Sequence, residues 1–343
     1  MQKNNRLLNS ITLLLVSIVI FAVLFLLIYN NIINEFAGDI LKISGIYIIV
    51  ALSLNLITGF TGQLALGQAG FMAIGAYTTA ICVMKFHIPL LAALIIGGLF
   101  TALFGFLIGF PTLRLRGDYL AITTLGFGEI VRVIMVNLEG LTGGAAGLYG
   151  VPSFSDDFKL NPIMGFIWIF CFAVATILII SNLINSSAGR AIISIREDEI
   201  ASNSMGINVP YYKMFAFVFS AFIAGIGGGL YATHFGYLNP SMFNFLFSVN
   251  IVVMVVLGGL GSITGTIIAS CIFAFFTMYF LPLFKDFAQN VFHISILDFN
   301  QVIFATVLIL MMLFRPRGIM GTKELSFVKL VKGIGFNKTQ GVK

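Results

Sequence analysis

Apolar runs of close to twenty residues follow one another along almost the whole chain, with short polar stretches between them. A helix that crosses the hydrocarbon layer of a bilayer, roughly 30 Å thick, needs about 20 apolar residues. Only 9% of the residues are charged, against about 25% in a soluble protein. We therefore predict an all-α fold, a polytopic transmembrane helix bundle with about ten spans and a range of about eight to eleven. The predicted spans cover roughly 11–33, 43–58, 65–84, 89–110, 118–138, 162–185, 213–233, 244–260, 265–284 and 298–314.

The positive charges are unevenly divided between alternate loops. With the N-terminus inside, most Lys and Arg residues fall in the inner loops and tails, and the outer loops hold only Lys42, Lys85, Lys159 and Lys285. An excess of Lys and Arg on the cytoplasmic side orients a polytopic protein. We therefore predict that both termini are cytoplasmic. The transmembrane domain then covers 1–314, and a basic cytoplasmic tail covers 315–343.

One long polar stretch, Ser186 to Tyr212, interrupts this apolar pattern. Ser186 or Ser187 is suited to cap a helix, and Gly206 and Pro210 are typical of a helix end, so the stretch predicts one short helix. Its few apolar residues leave this helix only weakly amphipathic. Two interpretations are open. The stretch is either a solvated loop kept out of lipid by its charges, or a cytoplasmic helix that a second protein can reach.

Two glycine-rich stretches lie between apolar runs, GFTGQLALGQAG at Gly59–Gly70 and LGGLGSITG at Leu257–Gly265. Their similarity suggests a distant internal repeat, which is common in transporters. A broken helix here would direct free backbone N–H groups towards a substrate carboxylate. The alternative is close helix packing, which glycine permits in lipid. On the first interpretation, the candidate residues of a translocation path are Gly59, Gln63, Gln68, Gly258 and Gly261.

The fifth predicted span carries the only charges placed deep in an apolar run, Glu129 and Arg132. Residues three apart lie on one helix face, close enough to form an ion pair. A single charge at the centre of a span costs about 2.5–3.5 kcal/mol on insertion scales. We therefore expect the pair to face the bundle interior or a water-filled passage. It serves either structure or transport.

The sequence lacks the motifs of a catalyst. It has no G-x-x-x-x-G-K-[ST] phosphate loop, no H-E-x-x-H and no C-x-x-C, and its three cysteines are widely spaced within apolar runs. We therefore expect no catalytic residues, no metal site and no cofactor bound by this chain. The basic tail after Arg315 is expected to be attracted to anionic lipid by about 1 kcal/mol per charge. Nucleic-acid binding is not expected, because membrane orientation accounts for most of the net charge of +6.

Several of these motifs together resemble one known family. The runs are GFTGQLALGQAGFMAIGAY from Gly59, LRGDYLAITTLGFGEIVR from Leu115, LTGGAAGL from Leu141, GRAIISIREDEIASNSMGIN from Gly189, AFVFSAFIAGIGGGLYA from Ala216 and VLGGLGSITG from Val256. Their combination, in register over roughly 45–320, resembles the LivM-type permease subunits of bacterial branched-chain amino-acid ABC importers. The resemblance implies a multi-pass protein of the bacterial cell membrane that translocates leucine, isoleucine and valine.

The resemblance also implies partners. They are a homologous LivH-type permease, two cytoplasmic ABC ATPases that use the ATP, and an extracytoplasmic solute-binding protein. The stretch at 186–212 then matches the loop that docks on the ATPase, with Ile195 and Ile200 as an apolar anchor. The residues assigned to this coupling are Gly189, Arg190, Arg196, Glu197, Asp198, Glu199 and Gly206.

Two alternatives remain open at this point. The first is a permease of the same family that imports urea, a short amide or another small polar solute, because the sequence has no readable specificity pocket. The second is a stand-alone channel or secondary carrier. The polar stretch at 186–212 favours an importer subunit, since a carrier has no need of a docking helix.

Overall fold

The computed structural model describes residues 34–113, 115, 117–154, 161–283, 306, 309, 313–314 and 318–321. The predicted span at 11–33, most of the span at 298–314 and most of the basic tail lie outside the described residues. Within the described part, the protein is an α-helical bundle with one two-stranded sheet. The all-α, polytopic class is therefore confirmed. The number of spans, the side on which the termini lie and the internal repeat stay predictions.

Seven described helices are long and apolar enough to cross a membrane. Their spans are Glu35–Phe60, Gln68–Phe86, Leu90–Thr112, Asp118–Asn137, Ile163–Asn185, Val209–Phe235 and Ile263–Leu283. An eighth apolar helix, Phe245–Gly258, has only 14 residues. Each of these eight helices overlaps one of the ten runs predicted from the sequence.

We number the helices in chain order. They are α1 (Glu35–Asn55), α2 (Gln68–Phe86), α3 (Leu90–Thr112), α4 (Asp118–Asn137), α5 (Glu139–Thr142), α6 (Asn161–Asn185), α7 (Ser187–Glu197), α8 (Glu199–Ser204), α9 (Val209–Phe235), α10 (Phe245–Gly258) and α11 (Ile263–Phe275). Helices α1 and α11 each continue into a π-helical turn, at Leu56–Phe60 and Phe276–Phe280. A 3-10 turn covers Pro240–Phe243, and strands β1 (Leu148–Tyr149) and β2 (Tyr237–Leu238) pair antiparallel.

Helices α1, α2 and α9 form the centre of the bundle, and α3, α4, α6 and α11 surround them. Glycines allow the central helices to approach closely. A Cβ at Gly75 of α2 would overlap the backbone of Gly225 in α9, and one at Gly70 would lie 2.8 Å from the Gly128 Cα in α4. Small residues permit such contacts in lipid, where van der Waals packing drives helix association. Close packing, the alternative interpretation of the first glycine-rich stretch, is therefore confirmed for Gly70.

The chain crosses back and forth, so that alternate connections meet at the same end of the bundle. At one end, β1 and β2 pair, and the Lys85 ammonium group donates to the Gly140 carbonyl oxygen over 2.9 Å. At the other end, Arg196 of α7 contacts Gly59, and the Ile319 N–H donates to the Leu257 carbonyl oxygen over 2.8 Å. The start of the C-terminal tail therefore lies at the same end as the 186–212 stretch.

The helix observed at the predicted span 43–58 is longer than the apolar run on which that prediction rests. Helix α1 already begins at Glu35, because the charges in its first turns are accommodated at the helix end: Lys42 pairs with Asp39 at 2.6 Å. The span predicted at 213–233 also begins early, at Val209. Pro210 therefore does not end the preceding helix. It stands in the first turn of α9, where proline is tolerated because its missing N–H has no partner there.

Candidate functional site

The stretch at 186–212 forms two helices, and the prediction of a single helix is wrong. Asp198 adopts an extended conformation (φ −156°, ψ 113°) that separates α7 from α8, and its carboxylate caps α8 by accepting from the N–H groups of Ile200 and Ala201. The predicted start is confirmed, since the Ser186 hydroxyl accepts from the Gly189 N–H over 3.2 Å. The predicted left-handed conformation of Gly206 is also confirmed, by its φ of +84°.

Helix α7 is attached to the bundle by an apolar face. Ile192 is fully buried and Ile195 is 4% exposed, against α6, α9 and the π-helical turn of α1. Gly189 lets the chain turn sharply from α6 into α7, because a Cβ there would overlap the carbonyl groups of Leu183 and Ile184. The prediction of weak amphipathicity is therefore wrong. The role of Ile195 as a docking anchor is wrong for the same reason, since its side chain belongs to the core.

The outer surface of this two-helix segment combines charge with two exposed apolar side chains. Ile200 is 73% exposed and Met205 is 83% exposed. Arg190, Glu197 and Asp198 are exposed as well. The exposure of Ile200 is compatible with its predicted role as an apolar anchor, which stays a prediction. Met205 was not assigned this role from the sequence, although an exposed methionine is an adaptable contact for a partner.

Arg196 joins this segment to the first glycine-rich stretch. Its guanidinium Nη1 donates to the carbonyl oxygen of Gly59 over 2.6 Å. The two residues lie 137 positions apart in the sequence. A Cβ at Gly261 would come within 2.5 Å of the same nitrogen, and Gly62, with a φ of +75°, lies against the Arg196 side chain. Arg196 is therefore held where both glycine-rich stretches meet α7.

Asn55 holds the two glycine-rich stretches together from inside. Its side chain is fully buried. The amide Nδ2 donates to the Ser262 carbonyl oxygen over 3.0 Å and to the Thr266 hydroxyl over 2.9 Å, and the amide oxygen accepts from the Gly261 N–H over 2.9 Å. A buried backbone N–H needs such a partner. Asn55 thus fixes the end of α1 to the start of α11.

Sequence reasoning did not identify Asn55, Ser262 or Thr266. A signal was available for Asn55, since an amide in the middle of an apolar run needs a partner at depth. The identity of that partner could not be read from the sequence, because it lies more than 200 positions away. Of the predicted glycines, Gly59 and Gly261 lie in this junction, and Gly258 packs against the backbone of Gly265.

Glu199 is engaged inside the chain as well. Its carboxylate lies 2.8 Å from the ammonium group of Lys213, which is almost buried in the first turns of α9. A buried lysine requires such a partner. The contact fixes α8 to α9. Among the charged residues predicted for coupling, Arg196 and Glu199 therefore contact distant segments of the chain. Arg196 is nevertheless exposed, as are Arg190 and Glu197.

Gln63 and Gln68 are buried, at 7% and 1% exposure. The Gln68 amide nitrogen donates to the hydroxyl of Ser53. The backbone carbonyl of Ser53 accepts from the hydroxyl of Ser220. The amide oxygens of both glutamines are buried and without a hydrogen-bond partner in the described part of the chain. Such groups are rare in folded proteins and call for a ligand, a water molecule or another explanation.

The predicted ion pair of α4 is present, with the Arg132 Nε 2.7 Å from the Glu129 carboxylate. Of its two predicted positions, the bundle interior is wrong, and the water-filled passage stays a prediction. Each side chain is 34% exposed, so the pair lies at the surface of this chain instead of in its interior. The reason is that α4 contacts the bundle along one side only, mainly through α2.

The described residues contain no group of three or more His, Cys, Asp or Glu side chains able to hold a metal ion. Two surface helices connect through Arg196 and Asn55 to the ends of α1 and α11.

Comparison with known proteins gives a consistent result. Residues 36–314 match the family described as branched-chain amino acid transport system / permease component. The high-affinity branched-chain amino acid transport system permease protein LivM of Escherichia coli K12 is 37% identical over 307 residues, covering 82% of this chain and 69% of that protein. BraD of Pseudomonas aeruginosa is 25% identical, covering 84% and 95%, and LivH of Salmonella typhimurium is 24% identical, covering 82% and 93%. No solved structure matches.

Proposed function

The chain belongs to the branched-chain amino-acid transport permease family, and we propose that it is the LivM-type permease subunit of an ATP-driven importer for leucine, isoleucine and valine. The observation that carries this proposal is the 37% identity to LivM over 82% of the chain. The chain is a multi-pass membrane protein. We place it in the bacterial cell membrane, with residues 1–314 as the permease domain and 315–343 as a basic cytoplasmic tail.

The partners follow from this assignment. A second, LivH-type permease completes the path, since relatives of both types are similar to this chain. Two ABC ATPases supply the energy by hydrolysing ATP, and a solute-binding protein delivers the amino acid on the outer side. The chain itself is a transport subunit, and ATP is used by its partners.

The 186–212 segment is suited to receive force from an ATPase. Ile200 and Met205 offer apolar contact area, and Glu197 offers a charge beside them. Behind this surface, Ile192 and the Lys213–Glu199 pair fix both helices to the bundle. A push on the outer surface therefore moves α7 and α8 together with the helices behind them.

Arg196 and Asn55 carry that movement into the membrane domain. A hydrogen bond to a charged group contributes about 1.5–3 kcal/mol, so the Arg196–Gly59 contact is strong enough to move the end of α1 with α7. Asn55 then passes the displacement to Gly261 and Ser262 at the start of α11. ATP-driven closure of the ATPases would in this way shift two membrane helices at once.

We place Gln63, Gln68 and the α4 ion pair beside the path of the solute. A free amino acid carries an ammonium group with three donors, and the unpartnered amide oxygens of Gln63 and Gln68 are acceptors. Replacing either glutamine with leucine removes the acceptor and nearly preserves the side-chain size. We expect the KM for leucine uptake to rise in Gln63→Leu and Gln68→Leu. Unchanged kinetics in both variants would remove the two residues from the path.

The function is tested by reconstituting the chain with the second permease, the two ATPases and the binding protein in liposomes. ATP hydrolysis and uptake are measured with leucine, isoleucine, valine and urea. Stimulation by the three branched-chain amino acids is expected. Stimulation by urea alone would indicate the other solute class. Uptake by this chain without the ATPases would indicate a channel or carrier.

A further inference from the structure

The outer side of α4 differs from the outer side of α3. The exposed side chains of α3 are all apolar, including Leu99 at 58% and Phe106 at 49%. The exposed side of α4 has comparable apolar residues, including Ile130 at 59% and Val133 at 49%. Unlike α3, it also carries the Glu129–Arg132 ion pair.

The depth of this pair makes contact with lipid unfavourable. Glu129 lies about 16 Å along α4 from Asp118, close to the middle of a helix about 30 Å long, at a rise of 1.5 Å per residue. A charge at the centre of a span costs about 2.5–3.5 kcal/mol, and intramembrane charges therefore face protein or water. Both side chains are one-third exposed in this chain, so another molecule has to cover them.

A second feature of the same side indicates protein contact. Gly126 lies on the exposed stripe with Ile122, Ile130 and Val133, and a Cβ built on it would meet nothing within 4 Å. By contrast, a Cβ on Gly70 or Gly128 would touch the facing helix. Small residues are enriched where membrane helices pack against each other. An outward-facing glycine leaves a shallow groove on the helix surface. A helix of a partner protein can pack closely into such a groove.

We propose that the exposed side of α4, formed by Ile122, Gly126, Glu129, Ile130 and Val133, is the surface on which the second permease packs. The occupant follows from two observations. It must be a membrane-spanning protein, because at mid-depth the pair is covered either by protein or by a water-filled path that protein encloses, and relatives of both permease types are similar to this chain. The ion pair then lies at the seam between the two subunits. This inference rests on the proposed function.

The test uses the complete complex in lipid nanodiscs, with the photoreactive residue p-benzoylphenylalanine at single positions. Ile130 and Val133 of α4 are matched in exposure by Leu99 and Phe106 of α3. We expect adducts to the second permease, identified by mass spectrometry, at Ile130 and Val133. Their yield should exceed that at Leu99 and Phe106 by about tenfold, because the controls face lipid.

Three results would overturn the inference: adducts to lipid alone at the α4 positions, adducts within this chain or to a second copy of it, or equal yields on α3 and α4. A second variant, Gly126→Leu, fills the groove. It should leave the thermal stability of the isolated chain unchanged and reduce co-purification of the second permease about tenfold. Full co-purification would contradict the proposal. If the unmodified chain does not co-purify with a second permease, the proposed function itself fails.

Discussion

The guanidinium group of Arg196 donates to the carbonyl oxygen of Gly59 over 2.6 Å, and so ties the surface helix α7 to the π-helical turn that ends α1. The last carbonyl groups of a helix have no partner within it and accept hydrogen bonds from elsewhere, and π-helical turns are often found at functional sites. Gly261 lies against the same guanidinium group. One side chain of the surface segment thereby touches both glycine-rich stretches.

Asn55→Leu should destabilise the isolated chain. The substitution removes the acceptor for the Gly261 N–H and the donor to Ser262 and Thr266. A buried group that loses its partner costs about 1–3 kcal/mol. The measurement is thermal unfolding of the purified chain in detergent. Asn137→Leu is the control, because this exposed side chain donates to the Val133 carbonyl within its own helix; an equal effect of both variants would contradict the role of Asn55.

Gly261→Ala should impair transport more than Gly206→Ala. Both glycines have positive φ, +81° and +84°, so both substitutions carry the backbone cost of about 1–2 kcal/mol. Only at position 261 does the new Cβ also meet the Arg196 guanidinium, whereas Gly206 faces open space. The measurement is leucine uptake by the reconstituted complex, which separates the contact with Arg196 from the backbone cost that both variants share. Equal activity of the two variants would show that the contact with Arg196 is not needed.

Ile200→Ser should weaken binding of the ATPase without destabilising the permease. Ile200 is 73% exposed, and burying an isoleucine in a partner contributes about 1.5–3 kcal/mol. Ile195→Ser should do the reverse and lower the thermal stability, because Ile195 is 4% exposed. Co-purification with the ATPase and thermal unfolding are measured for both. If Ile200→Ser binds the ATPase as tightly as the unmodified chain does, α8 is not the docking surface.

Lys213 and Glu199 should show coupled effects on stability. Removing Glu199 leaves the nearly buried Lys213 ammonium group without its carboxylate, and a buried charge without a partner is costly. A double-mutant cycle of Glu199→Gln, Lys213→Met and the pair measures their interaction energy. We expect Glu199→Gln to be the most destabilising of the three. Additive effects would show that the pair does not fix α8 to α9. Glu197→Lys changes only an exposed charge, whereas Glu199→Lys would also break the ion pair with Lys213. Of the two charge reversals, Glu197→Lys is therefore the cleaner test of ATPase docking.

Several parts of the fold were predictable because they depend on short-range pattern. The eight described apolar helices each overlap a predicted run. The Ser186 cap and the left-handed Gly206 are found as expected. Glu129 pairs with Arg132, three residues further along the helix. Each of these features depends only on residues close in sequence.

The errors concern contacts between distant segments. Ile195 looked like a docking residue because nothing near it in sequence shows that the core lies behind α7. Asn55 was overlooked because its partners are in another glycine-rich stretch. The Glu129–Arg132 pair was expected to face the bundle interior or a water-filled passage, since the cost of charge in lipid indicates that it must be covered but does not say by what.

The central claim is that Arg196 transmits movement of the 186–212 segment to the membrane helices. The direct test compares Arg196→Ala with Arg190→Ala in the reconstituted complex, measuring ATP hydrolysis and leucine uptake in the same vesicles. Arg190 is the matched control, since it lies on the same helix and donates to the Asn185 carbonyl at 3.4 Å. We predict that Arg196→Ala keeps its subunits and basal ATP hydrolysis but loses leucine uptake by about tenfold or more, as expected for a lost hydrogen bond of 1.5–3 kcal/mol. Uptake by Arg196→Ala equal to that of the unmodified chain would contradict the claim.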